Sequence, residues 1–236
     1  FPMSATPPGS SVSKVETPTE LTKTSLGGPA HRLGVGGVVA GERGSYRITE
    51  VFKAGGMGET YLAADERTGS LAVVKVVQAR LLKAAKGSAA DRIVKRFDRE
   101  IDILRLLRGL PNVVTMIDSG EIKDVDGGSA RFMALEFIEG KELRRYLPDR
   151  QPVELRTFVN LGNQLCQGLV AIHERGQSHR DIKPENVMVD TGGGRAPTVK
   201  YIDFGLGKPV FGGLEQVTHL NDRIGTNDYV APELSL

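Results

Sequence analysis

Cysteine is nearly missing from this 236-residue chain: Cys166 stands alone, so no internal disulfide can form and no cysteine-built zinc site is available. Four scattered histidines do not make up the lack. A reducing, cytoplasmic setting is therefore the expectation. Long apolar runs are missing too, and nothing approaches the roughly 18–20 residues that cross a bilayer. The first residue is Phe1, and no charged-then-apolar leader follows it, which reads as a processed or truncated end. Charge of one sign is also lacking. With 31 Lys and Arg against 29 Asp and Glu, a net +2 gives no reason to expect nucleic acid or an acidic membrane surface as a partner.

What is present is ordinary for a globular chain, with one excess. Hydrophobic residues make up 39% and charged residues 25%, which excludes disorder from end to end. Glycine is the outlier at 29 residues. Such an excess is either loop content or backbone that must come close to a ligand.

Residues 1–45 differ from the rest. They hold Pro2, Pro7, Pro8, Pro18 and Pro29 among many Ser, Thr and Gly, and show no apolar periodicity, so the segment reads as a flexible arm. From Tyr46 onward short strand-like runs appear at 46–52, 60–64 and 71–77. Ile93, Phe97, Ile101, Leu104 and Leu107 then recur at spacings of three and four, an amphipathic helix over 89–107. Runs at 113–118 and 131–138 read as further strands. A second long helix spans about 153–175, with Phe158, Leu161, Leu165, Leu169 and Ile172 on one stripe. Short strands at 186–189 and 199–202 precede a Gly-rich stretch to Leu236. The pattern is α+β in two lobes: a β-rich first lobe with one helix over about 46–138, and a mainly helical second lobe over about 139–236.

Five elements carry chemistry. Gly55, Gly56 and Gly58 lie between two strand-like runs, where bare backbone can sit over phosphates; alone, they fit a plain hairpin as well. Lys75 closes a strand and shares a face with Val73. Glu100, central on the first helix beside Phe97 and Ile101, can hold that lysine extended toward a phosphate. The octet 179–186 is far more specific. Asp181 can orient an attacking hydroxyl or accept its proton, and Lys183 can offset charge on a transferred phosphoryl group. Asn186 offers a neutral oxygen to a hard cation, and Pro184 stiffens the loop. Asp203, with Phe204 and Gly205, follows an apolar strand and adds a carboxylate suited to Mg²⁺ held partly by phosphates. The segment 225–233, ending in Ala231, Pro232 and Glu233, closes the stretch.

In this order the elements resemble the signature set of the eukaryotic-like (Hanks-type) serine/threonine protein kinases, the bacterial branch in particular. The resemblance covers 46–233, about four fifths of the chain. It implies a two-lobed kinase fold and ATP·Mg²⁺-dependent transfer to Ser/Thr hydroxyls of proteins, with Mn²⁺ as a possible substitute. By similarity, Gly55, Gly56 and Gly58 cover the phosphates, and Lys75, paired with Glu100, holds them. Asp181 is the implied base, with Lys183 beside the γ-phosphate, and Asn186 and Asp203 are the implied metal ligands. Leu135 to Ile138 resemble the gatekeeper and hinge, so backbone groups of Glu136 and Ile138 would bond adenine, with Met188 under the ring. Lys183 and Thr226 match the Ser/Thr-specific rather than the Tyr-specific pattern. Arg180 resembles the arginine that pairs with an activation-loop phosphate, and Thr218 is the best-placed acceptor, an expected autophosphorylation site. The resemblance also allows two copies to pair for trans-autophosphorylation, and a membrane tether in a longer parent stays open.

The chain also departs from the pattern. Lys53 stands at the first glycine position, Thr60 where an apolar β-branched residue usually packs beside adenine, and Val73 replaces the usual alanine. The stretch 82–90 reads as an inserted turn of helix. The chain stops at Leu236, three residues after Glu233, so the second lobe reads as truncated, with apolar surface left uncovered. That ending and the altered loop keep a nucleotide-binding pseudokinase or scaffold as the alternative, and a small-molecule phosphotransferase as a more distant one.

Overall fold

The computed structural model describes residues 33–54, 58–77, 88–123, 129–147, 152–194, 196–205, 208–209 and 229, all within one compact unit, His31–Leu236. Among them, the first half builds a six-stranded antiparallel sheet. Its strands are β1 (Val38–Ala40), β2 (Ser45–Ala54), β3 (Gly58–Asp65), β4 (Leu71–Val77), β5 (Met116–Lys123) and β6 (Ser129–Glu136), in the order β1-β2-β3-β4-β6-β5. Alternation along β4 sets its two faces. Ala72, Val74 and Val76 are buried in one core with Tyr46, Ile48, Tyr61 and Phe132, while Val73 and Lys75 are half-buried on the other face.

The sheet curls until its two edge strands meet. Glu42 N–H donates to Ser119 O (3.0 Å). A Cβ on Gly120 would lie 2.9 Å from Ala40 O, so only glycine fits this close approach. Asp118, 3% exposed, fastens the seam. Its Oδ2 accepts from Arg43 N–H (3.0 Å), Gly44 N–H (3.1 Å) and Tyr46 Oη–H (3.2 Å). Burial, and then the Asp118 carboxylate, push the Tyr46 phenol well above its ordinary range. These contacts correct the sequence reading of residues 1–45 as one arm. The chain is paired from Val38, because the apolar Val38–Val39 step can lay Val39 into the sheet core. Residues 1–32 lie outside the described residues.

The helix α1 (Ser88–Leu106) packs Phe97, Ile101 and Leu104 into a second core, as its spacing predicts. The strand expected at 113–118 begins only at Met116. Residues 112–115 instead bond to β10 (Thr198–Tyr201) through Tyr201 N–H to Asn112 O (2.9 Å) and Val114 N–H to Tyr201 O (3.0 Å). The second half holds β7 (Gly140–Glu142), the one-turn α2 (Leu143–Tyr146), α3 (Leu155–Glu174), β8 (Gln177–Ser178), β9 (Val187–Asp190) and β11 (Lys208–Pro209). Strands β10, β9 and β7 form a small sheet, whose Val187, Val189 and Val199 share the second core with Met133. On α3, Leu161 and Ile172 are buried. Phe158, expected on the same stripe, is 64% exposed, because it sits one turn from the N-terminus, ahead of the buried stretch. Leu155, Val159 and Val170 on this helix are also exposed.

Candidate active site

Lys75, two residues before the end of β4, faces α1, and the helix returns Glu100 against it. Lys75 Nζ donates to both Glu100 oxygens, at 2.7 and 2.9 Å, and lies 3.4 Å from Asp203 Oδ1. Burial opposes the charge on Lys75, but the Glu100 and Asp203 carboxylates outweigh it and push its pKa up, so the ammonium persists. Burial also raises the Glu100 carboxyl, against the downward pull of Lys75. Burial alone would raise Asp203; the Lys75 ammonium and the Gly205 N–H overturn that and hold it below the usual carboxylate range.

A second charge cluster lies on the loop after β8. Lys183 Nζ (2.9 Å) and Asn186 Nδ2 (2.8 Å) both donate to Asp181 Oδ2. Asn186 Nδ2 also reaches Asp181 O (2.8 Å), so its amide nitrogen is committed to acceptors and its oxygen is left for another ligand. Among the described residues no hydrogen bond engages Asp181 Oδ1. A short 3₁₀ turn, Pro184–Asn186, carries the segment into β9 with Asn186 buried.

The two clusters are joined by side chains that have no separate role in the motifs. His179, 1% exposed, bonds through Nε2 to Ile202 O (2.9 Å) and through Nδ1 to Asp181 N–H (3.3 Å). The carbonyl requires Nε2 to carry the hydrogen and the amide requires Nδ1 to accept, so the imidazole is neutral, in keeping with a pKa lowered chiefly by burial. Phe204, fully buried, lies 4.6 Å from the His179 ring, centroid to centroid. A nearby histidine inside the octet was the only sequence signal for this bridge. Arg180 and Asp203 both take φ 63°, a left-handed conformation that costs non-glycine residues of order 1 kcal/mol or more and clusters at functional sites. Arg180 Nε donates to Ser178 Oγ (3.2 Å).

The remaining candidates sit around these clusters or outside the described residues. Thr60 pairs in register with Lys53 on one side and Lys75 on the other. Val73 stands between Leu62 and Leu135. Met188, half-buried, lies opposite Lys200 in β9–β10. Glu136 N–H is taken by Thr115 O (2.9 Å), while Ile138 makes no hydrogen bond to another described residue. Gly58 opens β3, but Gly55, Gly56, Thr218, Thr226 and residues 82–87 of the turn expected at 82–90 lie outside the described residues, as does the Lys53 side chain; residues 88–90 begin α1.

A family model described as the protein kinase domain matches residues 46–235. The chain belongs to the protein kinase family. Its relatives place this kinase domain in the bacterial, eukaryotic-like serine/threonine branch. It is similar to the serine/threonine-protein kinase Pkn1 of Myxococcus xanthus, 34% identical over 82% of this chain and 26% of that protein. It is also similar to the probable serine/threonine-protein kinase PknB of Corynebacterium glutamicum, 32% identical over 80% of this chain and 27% of that one. The serine/threonine-protein kinase PknA of Mycobacterium tuberculosis is 30% identical over 82% of this chain and 42% of its own length. The matched region thus spans about a quarter to two fifths of these relatives. Kinases of this family use ATP and a divalent cation. Among the described residues, no helix is long and apolar enough to cross a membrane.

Proposed function

We propose that this kinase domain transfers the γ-phosphoryl group of ATP to serine or threonine hydroxyls of proteins. One observation carries the reading: a lysine held by both oxygens of a buried glutamate also reaches Asp203, and an aspartate gripped by a lysine and an asparagine is linked to the residue before Asp203 through the His179 ring. Lys75 holds the α- and β-phosphates, and Glu100 keeps its side chain extended before substrate arrives. Asp181 Oδ1 takes the hydroxyl of the protein substrate. As the new O–P bond forms and the bond from the γ-phosphorus to its bridging oxygen breaks, the hydroxyl proton passes to Asp181. Lys183 lies beside the transferred group and offsets its charge.

The donor set fits a hard cation. Asn186 offers its free amide oxygen and Asp203 its carboxylate. Among the described residues no group of three or more His, Cys, Asp or Glu could hold a metal unaided, so two protein oxygens suit an ion that arrives on phosphate. When bound, Mg²⁺ (or Mn²⁺) neutralises charge developing on the phosphate oxygens. The purine takes the space bounded by Val73, Thr60 and Met188, with the Glu136 carbonyl and the Ile138 N–H on its edge, and Lys53, Gly55, Gly56 and Gly58 cover the phosphates. Protein substrates in the cytoplasm, pairing of two copies for trans-autophosphorylation, and Thr218 as the modified residue belong to the same proposal. The intact quartet Lys75, Asp181, Asn186 and Asp203 favours catalysis over a pseudokinase.

Intact mass and phosphopeptide mapping after incubation with ATP and Mg²⁺ test this reading. Phosphate gained by the unaltered chain and not by Asp203→Ala is expected, with Thr218 modified. No gain in a folded, nucleotide-binding chain would overturn it.

A further inference from the structure

We infer that the Glu136–Lys200 ion pair is a positioning device that fixes the distance between the adenine end and the phosphate end of the nucleotide site. The inference rests on the nucleotide-binding reading above. Glu136 is the last residue of β6, and its Oε1 accepts from the Thr115 N–H (2.7 Å) and the Lys200 ammonium (2.6 Å). Both side chains are sheltered, 28% and 16% exposed, so solvent screens this pair far less than a surface one.

The pair closes a ring of contacts. Glu136 N–H donates to Thr115 O (2.9 Å). Thr115 ends the segment that is hydrogen-bonded to β10 through Asn112, Val114 and Tyr201, with Asn112 Nδ2 adding a bond to Val199 O (3.0 Å). Strand β10 then runs straight to the phosphate end. Ile202 N–H donates to Asn186 O (2.9 Å), His179 donates to Ile202 O, and Asp203 follows. The Glu136 backbone is thus tied to β10 indirectly, through residues 112–115, and among the described residues the direct hydrogen bond from Glu136 to β10 is the one its side chain accepts from Lys200, three residues before Asp203. The sequence motifs use Glu136 for its backbone and give Lys200 no task. A ligand that touches one end of the site does not sense the ring, whereas a ligand that spans both ends binds best when the spacing is already set.

Lys200→Met leaves a half-sheltered carboxylate with a single N–H partner, so Glu136 must draw in water and the spacing loosens. Calorimetric titrations on the whole 236-residue chain with Mg²⁺ present should show ATP affinity falling about tenfold, the effect of losing one charged hydrogen bond. Adenosine alone and tripolyphosphate alone should each change less than about twofold. Adding Glu136→Gln keeps an acceptor for Thr115 N–H without a stranded charge, and should restore at least half of the lost ATP affinity on a logarithmic scale. ATP bound as tightly by Lys200→Met as by the unaltered chain overturns the inference. So does an equal loss for adenosine and ATP, or a double variant with no recovery. Should Lys200→Met not fold, Lys200→Gln carries the same comparison with a factor of about three. An unaltered chain that binds no ATP sinks the proposed function and this inference together, whereas the other negative outcomes leave that function standing.

Discussion

Removing Lys75 does two separable things. It deletes the cation proposed to hold phosphate, and it strands the Glu100 carboxylate, whose side chain is 4% exposed. Breaking one partner of a buried pair costs about 3–5 kcal/mol, whereas neutralising both can be close to free. Lys75→Met should therefore lower the melting temperature, and Lys75→Met with Glu100→Gln should regain most of it while activity stays lost. Thermal melts and phosphate incorporation, run side by side, check the split. His179 supplies a pH signature. Its pKa is lowered in the folded state, so the fold prefers neutral imidazole. The stabilisation is complete above the unfolded value of about 6.5 and is lost as pH falls from there toward the folded value. Protonation at Nδ1 would set two donors against each other at Asp181 N–H. Melting temperatures from pH 7.5 to pH 5 should fall more steeply for the unaltered chain than for His179→Gln, which is less stable throughout but lacks this titration.

Helix α3 offers opposite tests at two glycines. A Cβ on Gly162 meets nothing within 4 Å, so Gly162→Ala should stabilise the helix by roughly 0.5–1 kcal/mol. A Cβ on Gly168 would come within 2.8 Å of Asn112 Cβ and 2.9 Å of the Tyr201 ring, both pressed against the helix. Gly168→Ala should cost about 1–3 kcal/mol. Urea denaturation of the two variants checks both signs. The helix itself was legible from its spacing, but the difference between its glycines was not, because it depends on what β10 and residue 112 bring against it. The same holds for Phe158, on the apolar stripe by period yet exposed by position. Contiguous motifs read well for the converse reason. Asp181, Lys183 and Asn186 are close in sequence, so their meeting around one carboxylate oxygen is a local matter. Glu136 and Lys200 are 64 residues apart and follow no period, so only the fold brings them together.

At the scale of the whole molecule, the curled sheet depends on Asp118. Asp118→Ala would leave the N–H groups of Arg43 and Gly44 and the Tyr46 hydroxyl without their shared acceptor. Tyr46 is buried while Arg43 is exposed and Gly44 half-buried, and an unsatisfied buried group costs about 1–3 kcal/mol, so a loss of that size is expected, with Asp118→Asn falling between. Hydrogen exchange at residues 43–46 is the measurement, with protection expected to drop there first. The strands near 46–52, 60–64, 71–77 and 131–138 were readable from the runs of apolar residues. The seam was not, since a side chain gripping backbone some 74 residues earlier leaves no mark on composition. That seam also bears on behaviour in a crowded solution. An open sheet presents a row of unpaired amides and carbonyls at each border, ready to recruit a strand from another molecule. Here one border is laid beside the other through Glu42 and Ser119, so the sheet spends part of that capacity on itself. Loosening residues 38–44 should therefore turn a self-contained lobe into one that sticks to its own kind.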